Sequence, residues 1–327
     1  MRILFAGTPQ PAVASLNALM DAGHDVVGVL TRTDAKVGRK RVLTPSPVAT
    51  RAAELKLPII KTDAFNTEDG AEAIAAIQYL QPDLGAVVAY GGLLPQHVLD
   101  LLPQGWVNLH FSLLPAYRGA APVQWAIIDQ QPQTGAAVFQ LEAGLDTGPV
   151  FSTVERPLQP AETAGEVLAD LAVTGAELLS TTLTDISSGT AVATPQQGDV
   201  SWAPKISSNQ VHIDPAQPAE AVRGLINGAS PDPGAWGMLE GEAITAQRFK
   251  IGSAVGVTDA PVHDKEPGQF ILEPKRVLLV CQDGAIELTQ VQPAGKKMMR
   301  ATDWARGVDE SIWIHTSNTH PTEFETH

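Results

Sequence analysis

Cysteine is nearly absent: the 327-residue chain has one, Cys281. A single thiol excludes an intramolecular disulfide framework and a zinc site built from cysteines. It ends the apolar run Val277 to Val280, the setting of a buried, inert thiol. Basic residues are also scarce, 22 Lys and Arg against 36 Asp and Glu, for a net charge of −14 and a pI near 4.9. Taken alone, that balance argues against nucleic-acid binding, because phosphate contacts rest on Lys and Arg. Long hydrophobic runs are missing too. The opening MRILFAGTP is broken at Thr8-Pro9, too short for a signal-peptide core, and no run approaches the roughly 18 apolar residues of a membrane span. The chain therefore reads as cytoplasmic, with no membrane association and no obligate protein partner. His24, His97, His110, His212 and His263 are scattered without metal-ligand spacing, and there is no GxSxG, so neither a metal nor a serine nucleophile is expected.

What is present is a globular composition, 44% hydrophobic and 18% charged, at a length that favours two domains. Through about Leu183, apolar runs alternate with helical patterns. Ile3 to Ala6, Val26 to Leu30, Ile59-Ile60 and Leu84 to Ala89 read as strands. Pro11 to Ala22, Pro47 to Leu55 and residues 68–79 read as helices, the last with apolar positions at Ala71, Ile74, Ala75 and Ile77. Trp106 to Phe111, Ala136 to Leu141 and Val150 to Val154 read as further strands, and Thr163 to Leu183 as a long helix. Such alternation predicts an α/β, Rossmann-like, mostly parallel sheet with helices on both faces. Residues 191–207 are polar and turn-rich, as a linker is. Beyond them, a helix at Pro218 to Ile226 and closely spaced short strands over 236–291 predict a small antiparallel, OB-like β-barrel. The expected organisation is a domain over 1–190, a linker over 191–207, a barrel domain over 208–312 and a flexible tail over 313–327.

The first strand-to-helix turn, Ala6-Gly7-Thr8-Pro9, has one glycine where a dinucleotide fingerprint needs three, and Pro9 lacks the N–H a phosphate would use. The stretch Asn108-Leu109-His110-Phe111-Ser112-Leu113-Leu114-Pro115 carries more. Residues two apart on a strand share a face, so Asn108 and His110 project together near its carboxyl end, where open sheets bind ligands. An amide and an imidazole there can hold a developing oxyanion and move a proton to a leaving nitrogen. A satisfied polar pair at a strand end has the same spacing. Asp146, between Gly144 and Gly148, sits in a tight loop suited to close ligand approach and could accept a proton; an ordinary turn aspartate fits that pattern too. Two basic clusters, Lys36 with Arg39, Lys40 and Arg41, and Lys296-Lys297 with Arg300, leave RNA binding open despite the acidic average. The first lies in a long segment read as a loop without secondary structure of its own.

The segment NLHFSLLPAYRG followed by GLDTG resembles the signature of the folate-dependent formyltransferases. The resemblance implies Asn108, His110 and Asp146 as the catalytic set and Ser112, Leu113, Leu114 and Pro115 as folate contacts, with Tyr90 and Gly91 beside the pterin. Three further segments resemble the branch of that family acting on methionyl-tRNA: Gly38-Arg39 through Pro45-Ser46-Pro47-Val48, Gln292 to Lys297 (QPAGKK), and Ala203 to Ile206 with Ile213-Asp214. That branch implies 10-formyltetrahydrofolate as co-substrate, no metal, and initiator methionyl-tRNA as partner, met through Arg39, Lys40, Arg41, Lys205, Lys296 and Lys297. The trio is also compatible with a 10-formyltetrahydrofolate hydrolase or a sugar-nucleotide formyltransferase. A protein of another class, a non-catalytic RNA binder, would not need the trio. Phe111 stands where many relatives have glycine, and the strong acidity is unusual for an enzyme of tRNA.

Overall fold

The computed structural model describes residues 1–38, 40–242, 244–309 and 311–315. It forms two compact units, neither continuous in sequence. Unit 1 comprises Met1–Gly119, Thr134–Arg156 and Leu168–Ala203; unit 2 comprises Ala120–Gln133, Pro157–Val167 and the chain from Pro204.

Unit 1 is built on a sheet of seven strands: β1 (Arg2–Gly7), β2 (Asp25–Thr31), β5 (Ile59–Lys61), β6 (Leu84–Val88), β7 (Trp106–His110), β8 (Gln133–Gln140) and β9 (Val150–Pro157), in the order β5-β2-β1-β6-β7-β8-β9. The first five are parallel and β8 is antiparallel to β7, the mostly parallel sheet that the alternation predicts. Ile3, Leu4, Phe5 and Ala6 are all fully buried, as they must be in a strand covered on both faces. Helices α1 (Gln10–Asp21), α2 (Pro47–Glu54), α3 (Glu68–Leu80), the short α4 (Gln96–Leu99) and the greater part of α6 (Ala164–Ser188) belong to this unit. Local chemistry sets their ends. Ser46 accepts the Ala49 N–H at 3.0 Å with Pro47 opening α2, and Thr67 accepts the Gly70 N–H at 3.2 Å with Glu68 and Asp69 in the first turn of α3.

The buried face of α3 is Gly70, Ala73 and Ile77; of the expected stripe Ile77 is buried and Ile74 half-buried, while Ala71 and Ala75 are exposed. Gly70 decides the rotation: a Cβ there would lie 2.5 Å from the Ala64 carbonyl oxygen, so the bare face must turn inward. Helix α6 is long and apolar enough to cross a bilayer, yet half of that stretch is buried inside the fold, including Leu171, Ala172, Ala176, Leu179 and Leu183.

The basic segment after β2 is not a plain loop. It forms a hairpin, β3 (Ala35–Val37) and β4 (Val42–Thr44), paired Ala35 with Thr44 and Val37 with Val42. Three-residue strands are too short for alternation to betray them. Residues 191–203 of the expected linker lie within unit 1, where Thr194 bridges Val150 and Trp202 bridges Arg118.

Unit 2 is the antiparallel barrel with the segments that pack on it. Its strands are β10 (Trp236–Gly241), β11 (Ile244–Gly256), β12 (Phe270–Leu272), β13 (Val277–Cys281), β14 (Gly284–Pro293), β15 (Met299–Arg300) and β16 (Ile312–Ile314), in the order β12-β13-β14-β11-β10-β16 with β15 on β14. An antiparallel bridge from Gln269 to Trp313 and a 2.8 Å bond from the Ile314 N–H to the Gly268 carbonyl join the two edges, so closure satisfies backbone that an open edge would expose. Trp313 and Ile314, assigned from sequence to the tail, are thus barrel strand; the tail from residue 316 lies outside the described residues. Phe249, Phe270 and Trp304 from α8 (Ala301–Ala305) pack at centroid distances of 4.7 to 6.3 Å in the core. Helix α7 (Ala219–Gly228) lies against α5 (Pro122–Ile128), where a Cβ at Gly228 would stand 2.7 Å from the Gln124 carbonyl oxygen. That contact draws residues 120–133 into unit 2.

Candidate active site

Strand β7 enters the core at Trp106 and presents its two faces differently. Leu109 and Phe111 pack on α6, where a Cβ at Gly175 would lie 3.2 Å from Leu109 and 3.5 Å from Phe111. Asn108 and His110 project from the opposite face, as the period of two requires. The chain then turns through Ser112, Leu113, Leu114 and Pro115, with a cis Leu114–Pro115 bond and the buried Ser112 hydroxyl donating to the Ala116 carbonyl at 2.6 Å.

That turn brings Tyr117 back to His110, whose Nε2 lies 2.9 Å from the Tyr117 carbonyl oxygen. A carbonyl only accepts, so Nε2 carries the hydrogen and Nδ1 is the nitrogen left for chemistry. Nδ1 faces the Asp146 carboxylate, with Oδ2 at 3.8 Å. The same Oδ2 accepts the Gly119 N–H at 2.8 Å. Both side chains are nearly buried, His110 at 6% and Asp146 at 8% exposure. The separation exceeds a direct hydrogen bond, leaving Nδ1 and the carboxylate facing each other across a gap that an N–H or a water proton can bridge. Asn108 Oδ1 is buried beside them without a hydrogen-bond partner among the described residues. A buried amide oxygen left without a partner costs stability.

The Asp146 loop is held by close approach. Asp146 takes a left-handed backbone, φ 52°, and a Cβ at Gly148 would lie 1.7 Å from the Gln140 carbonyl oxygen. The loop leaves β8 through Leu141, Glu142 and Ala143, which with Gln96, Leu99, Asp100, Leu102, Gly105, Trp106 and Gln140 line a cleft of about 490 Å³. Composition and spacing do not reveal this cleft, because its walls come from α4, the start of β7 and the end of β8, which only the folded sheet brings together.

The expected contact residues divide. Ser112 to Pro115 continue directly from the His110 strand. The Tyr90 side chain is buried, and its hydroxyl donates to the Thr62 carbonyl at 2.8 Å; burial pushes that phenol up to about 12. Only the backbone of the Tyr90-Gly91 turn is left to meet a ligand. Arg32 steadies that turn, bonding the Gly91 carbonyl and pairing with Asp63 at 2.5 Å. The Thr33 hydroxyl, then Arg32, hold the Asp63 carboxyl below its usual range. Lys40 and Arg41 are exposed on the β3–β4 hairpin of unit 1, and Lys205, Lys296 and Lys297 are exposed on unit 2; Arg39 lies outside the described residues. Among the described residues no three His, Cys, Asp or Glu side chains cluster to hold a metal ion.

Residues 1–183 match the formyl transferase family model and residues 205–309 the model of the formyl transferase C-terminal domain. The chain is 53% identical over 307 residues to the methionyl-tRNA formyltransferase of Arthrobacter sp. (strain FB24), covering 94% of this chain and 97% of the relative. It is 45% identical over 313 residues to that of Corynebacterium diphtheriae, covering 95% and 98%. Among solved structures, the fold is similar to the N-formyltransferase of Helicobacter canadensis in complex with folinic acid and dTDP-3-aminofucose, with a TM-score of 0.64 at 16% identity over 89% of this chain and 98% of that one. It is also similar to the sugar 3N-formyl transferase WlaRD, at 0.63 and 15% over 91% and 99%.

Proposed function

The chain belongs to the formyl transferase family, and on that premise we propose how its residues carry the formyl group of 10-formyltetrahydrofolate to the α-amine of methionine on initiator tRNA. The amine substrate follows from the similarity, at 45 to 53% identity over nearly the whole chain, to relatives named methionyl-tRNA formyltransferase. The chemistry is carried by one observation: His110 Nδ1 and the Asp146 carboxylate face each other across 3.8 Å, with Asn108 on the same strand face as His110.

The attacking amine must be neutral, and Asp146 takes up the proton it releases. With Nε2 tied to the Tyr117 carbonyl, His110 acts through Nδ1, receiving a proton from the Asp146 side and delivering it toward the leaving nitrogen. The nearby carboxylate stabilises the imidazolium between those two events. Asn108 supplies the N–H that meets the charge developing on the formyl oxygen; a donor of this kind is worth roughly 10²–10³ in rate. We assign the pterin ring to the cleft of about 490 Å³ lined by Leu99, Leu102, Trp106, Leu141, Glu142 and Ala143. Lys40 and Arg41 on the hairpin, with Arg39, and Lys205, Lys296 and Lys297 on the barrel unit, are the cations we assign to tRNA phosphates.

The test is direct. Purified chain is mixed with 10-formyltetrahydrofolate and methionyl-tRNA, and formylmethionine is measured after the ester is hydrolysed. Formylmethionine formation supports the assignment. Formate release independent of tRNA would instead identify a hydrolase, and no turnover of either kind would refute both.

A further inference from the structure

Asp146 sits in a left-handed backbone conformation, φ 52°, that is uncommon outside glycine and that Asp tolerates better than most residues. The side chain that holds it comes from residues 191–203, a stretch with no catalytic signature. The Gln196 amide spends both of its hydrogens on the acid loop, donating from Nε2 to the Asp146 carbonyl at 2.7 Å and to the Gly148 carbonyl at 2.8 Å. Its Oε1 accepts from Arg118 Nη2 at 2.6 Å. Arg118 stands between Tyr117, whose carbonyl receives His110 Nε2, and Gly119, whose N–H binds the Asp146 carboxylate. The 117–119 stretch is itself gripped by the same segment. The Tyr117 N–H donates to the Ser201 hydroxyl at 2.8 Å, the Arg118 N–H to the Ser201 carbonyl at 2.9 Å, and the Ala203 N–H to the Arg118 carbonyl at 2.7 Å. One amide therefore ties together the two walls whose spacing sets the His110–Asp146 gap.

We propose that Gln196 is a positioning residue for formyl transfer, holding the Asp146 backbone so that its carboxylate stands opposite His110. The proposal rests on the reading of Asp146 as the proton acceptor. Gln196 touches neither reacting group. Its loss acts through placement, and a displacement of about 1 Å at a reacting group is enough to cost on the order of 10²-fold in rate.

The test is a double-mutant cycle in kcat on the full chain, with thermal melts of each variant. Gln196→Leu removes all three bonds. Gln196→Glu keeps the length and the Arg118 contact while turning the donor into an acceptor against two carbonyl oxygens, so it serves if the leucine variant does not fold. Each should lower kcat by roughly 30- to 100-fold, with the KM for 10-formyltetrahydrofolate changed by less than about 3-fold. Added to Asp146→Asn, each should cost less than about 3-fold more, because a carboxylate already removed cannot be misplaced. A Gln196 variant with wild-type kcat, or one whose penalty multiplies in full with that of Asp146→Asn, overturns the proposal while leaving Asp146 as acceptor. If Asp146→Asn alone keeps full turnover, the reading of Asp146 fails, and the role of Gln196 fails with it.

Discussion

Gly148 offers a sharp perturbation of the acid loop, because the obstacle to a side chain there is backbone. A Cβ at this position would lie 1.7 Å from the Gln140 carbonyl oxygen and 2.9 Å from its carbonyl carbon. Real Cβ contacts essentially never fall below 3.0 Å, so Gly148→Ala requires about 1.3 Å of movement. Gln140 cannot yield freely, since it is paired with Val107 of β7 in the sheet. The loop must yield instead, and Asp146 is two residues away. Overpacking of this kind costs about 1–3 kcal/mol of stability. A shift of roughly 1 Å at a reacting carboxylate costs on the order of 10²-fold in kcat, close to 3 kcal/mol of transition-state stabilisation. The assay is steady-state formylation of methionyl-tRNA beside a thermal melt. Gly284→Ala, at a glycine with nothing within 4 Å of the added methyl, is the control and should match the wild type in both. A Gly148→Ala enzyme with unchanged kcat and melting temperature would refute the argument that backbone crowding places this loop.

Four further outcomes follow from the same geometry. Asn108→Ala should lower kcat by roughly 10²–10³ with little change in the KM for 10-formyltetrahydrofolate; single-turnover formylation checks it, and near-normal turnover would remove Asn108 from the oxyanion role. Tyr90→Phe leaves the Thr62 carbonyl without its buried donor and should cost about 1–2 kcal/mol in chemical denaturation while sparing the folate KM; a raised KM would instead make the Tyr90 hydroxyl a ligand contact. Replacing Arg39, Lys40 and Arg41 together by Ala should raise the KM for tRNA, leave that for folate unchanged and flatten the salt dependence of tRNA binding by about one unit per lost phosphate contact; an unchanged salt slope would remove the hairpin from the RNA interface. Burial pushes the Cys281 thiol up to about 12, so the reactive thiolate is scarce at pH 8 in the folded chain, and iodoacetamide labelling there should be slow until denaturant is added; rapid labelling of the native protein would contradict the burial.

The pairing of Asn108 and His110 is legible in the sequence because it obeys a strict local rule, whereas their grouping with Asp146 as a candidate catalytic set comes from the family resemblance. On a strand, residues two apart share a face wherever the strand lies, so Asn108 and His110 are paired by spacing alone. The parallel sheet is legible for a similar reason: β1, β2 and β6 are buried on both faces and read as continuous apolar runs. Rules of period fail where elements are short or where the deciding contact is remote. The β3–β4 hairpin has three-residue strands, and β16 lies in a stretch whose apolar Ile312 and Ile314 acquire meaning only when Gly241 and Leu239 of β10 pair with them and the Gly268–Gln269 edge closes on the other side. The buried face of α3 was set by Gly70 against the Ala64 carbonyl, a contact no helical period contains.

Local spacing thus determined the strand on which Asn108 and His110 stand and the face they share; the resemblance to the formyltransferases, not spacing, singled them out with Asp146 for the chemistry. Tertiary structure alone decided how they are placed. It tied His110 Nε2 to the Tyr117 carbonyl, leaving Nδ1 to act; it turned Tyr90 into the core; and it brought Gln196 from 50 residues away onto the Asp146 carbonyl. Hydrogen bonds between distant segments depend on where the whole sheet carries each backbone, and that placement is not written in any local pattern of residues.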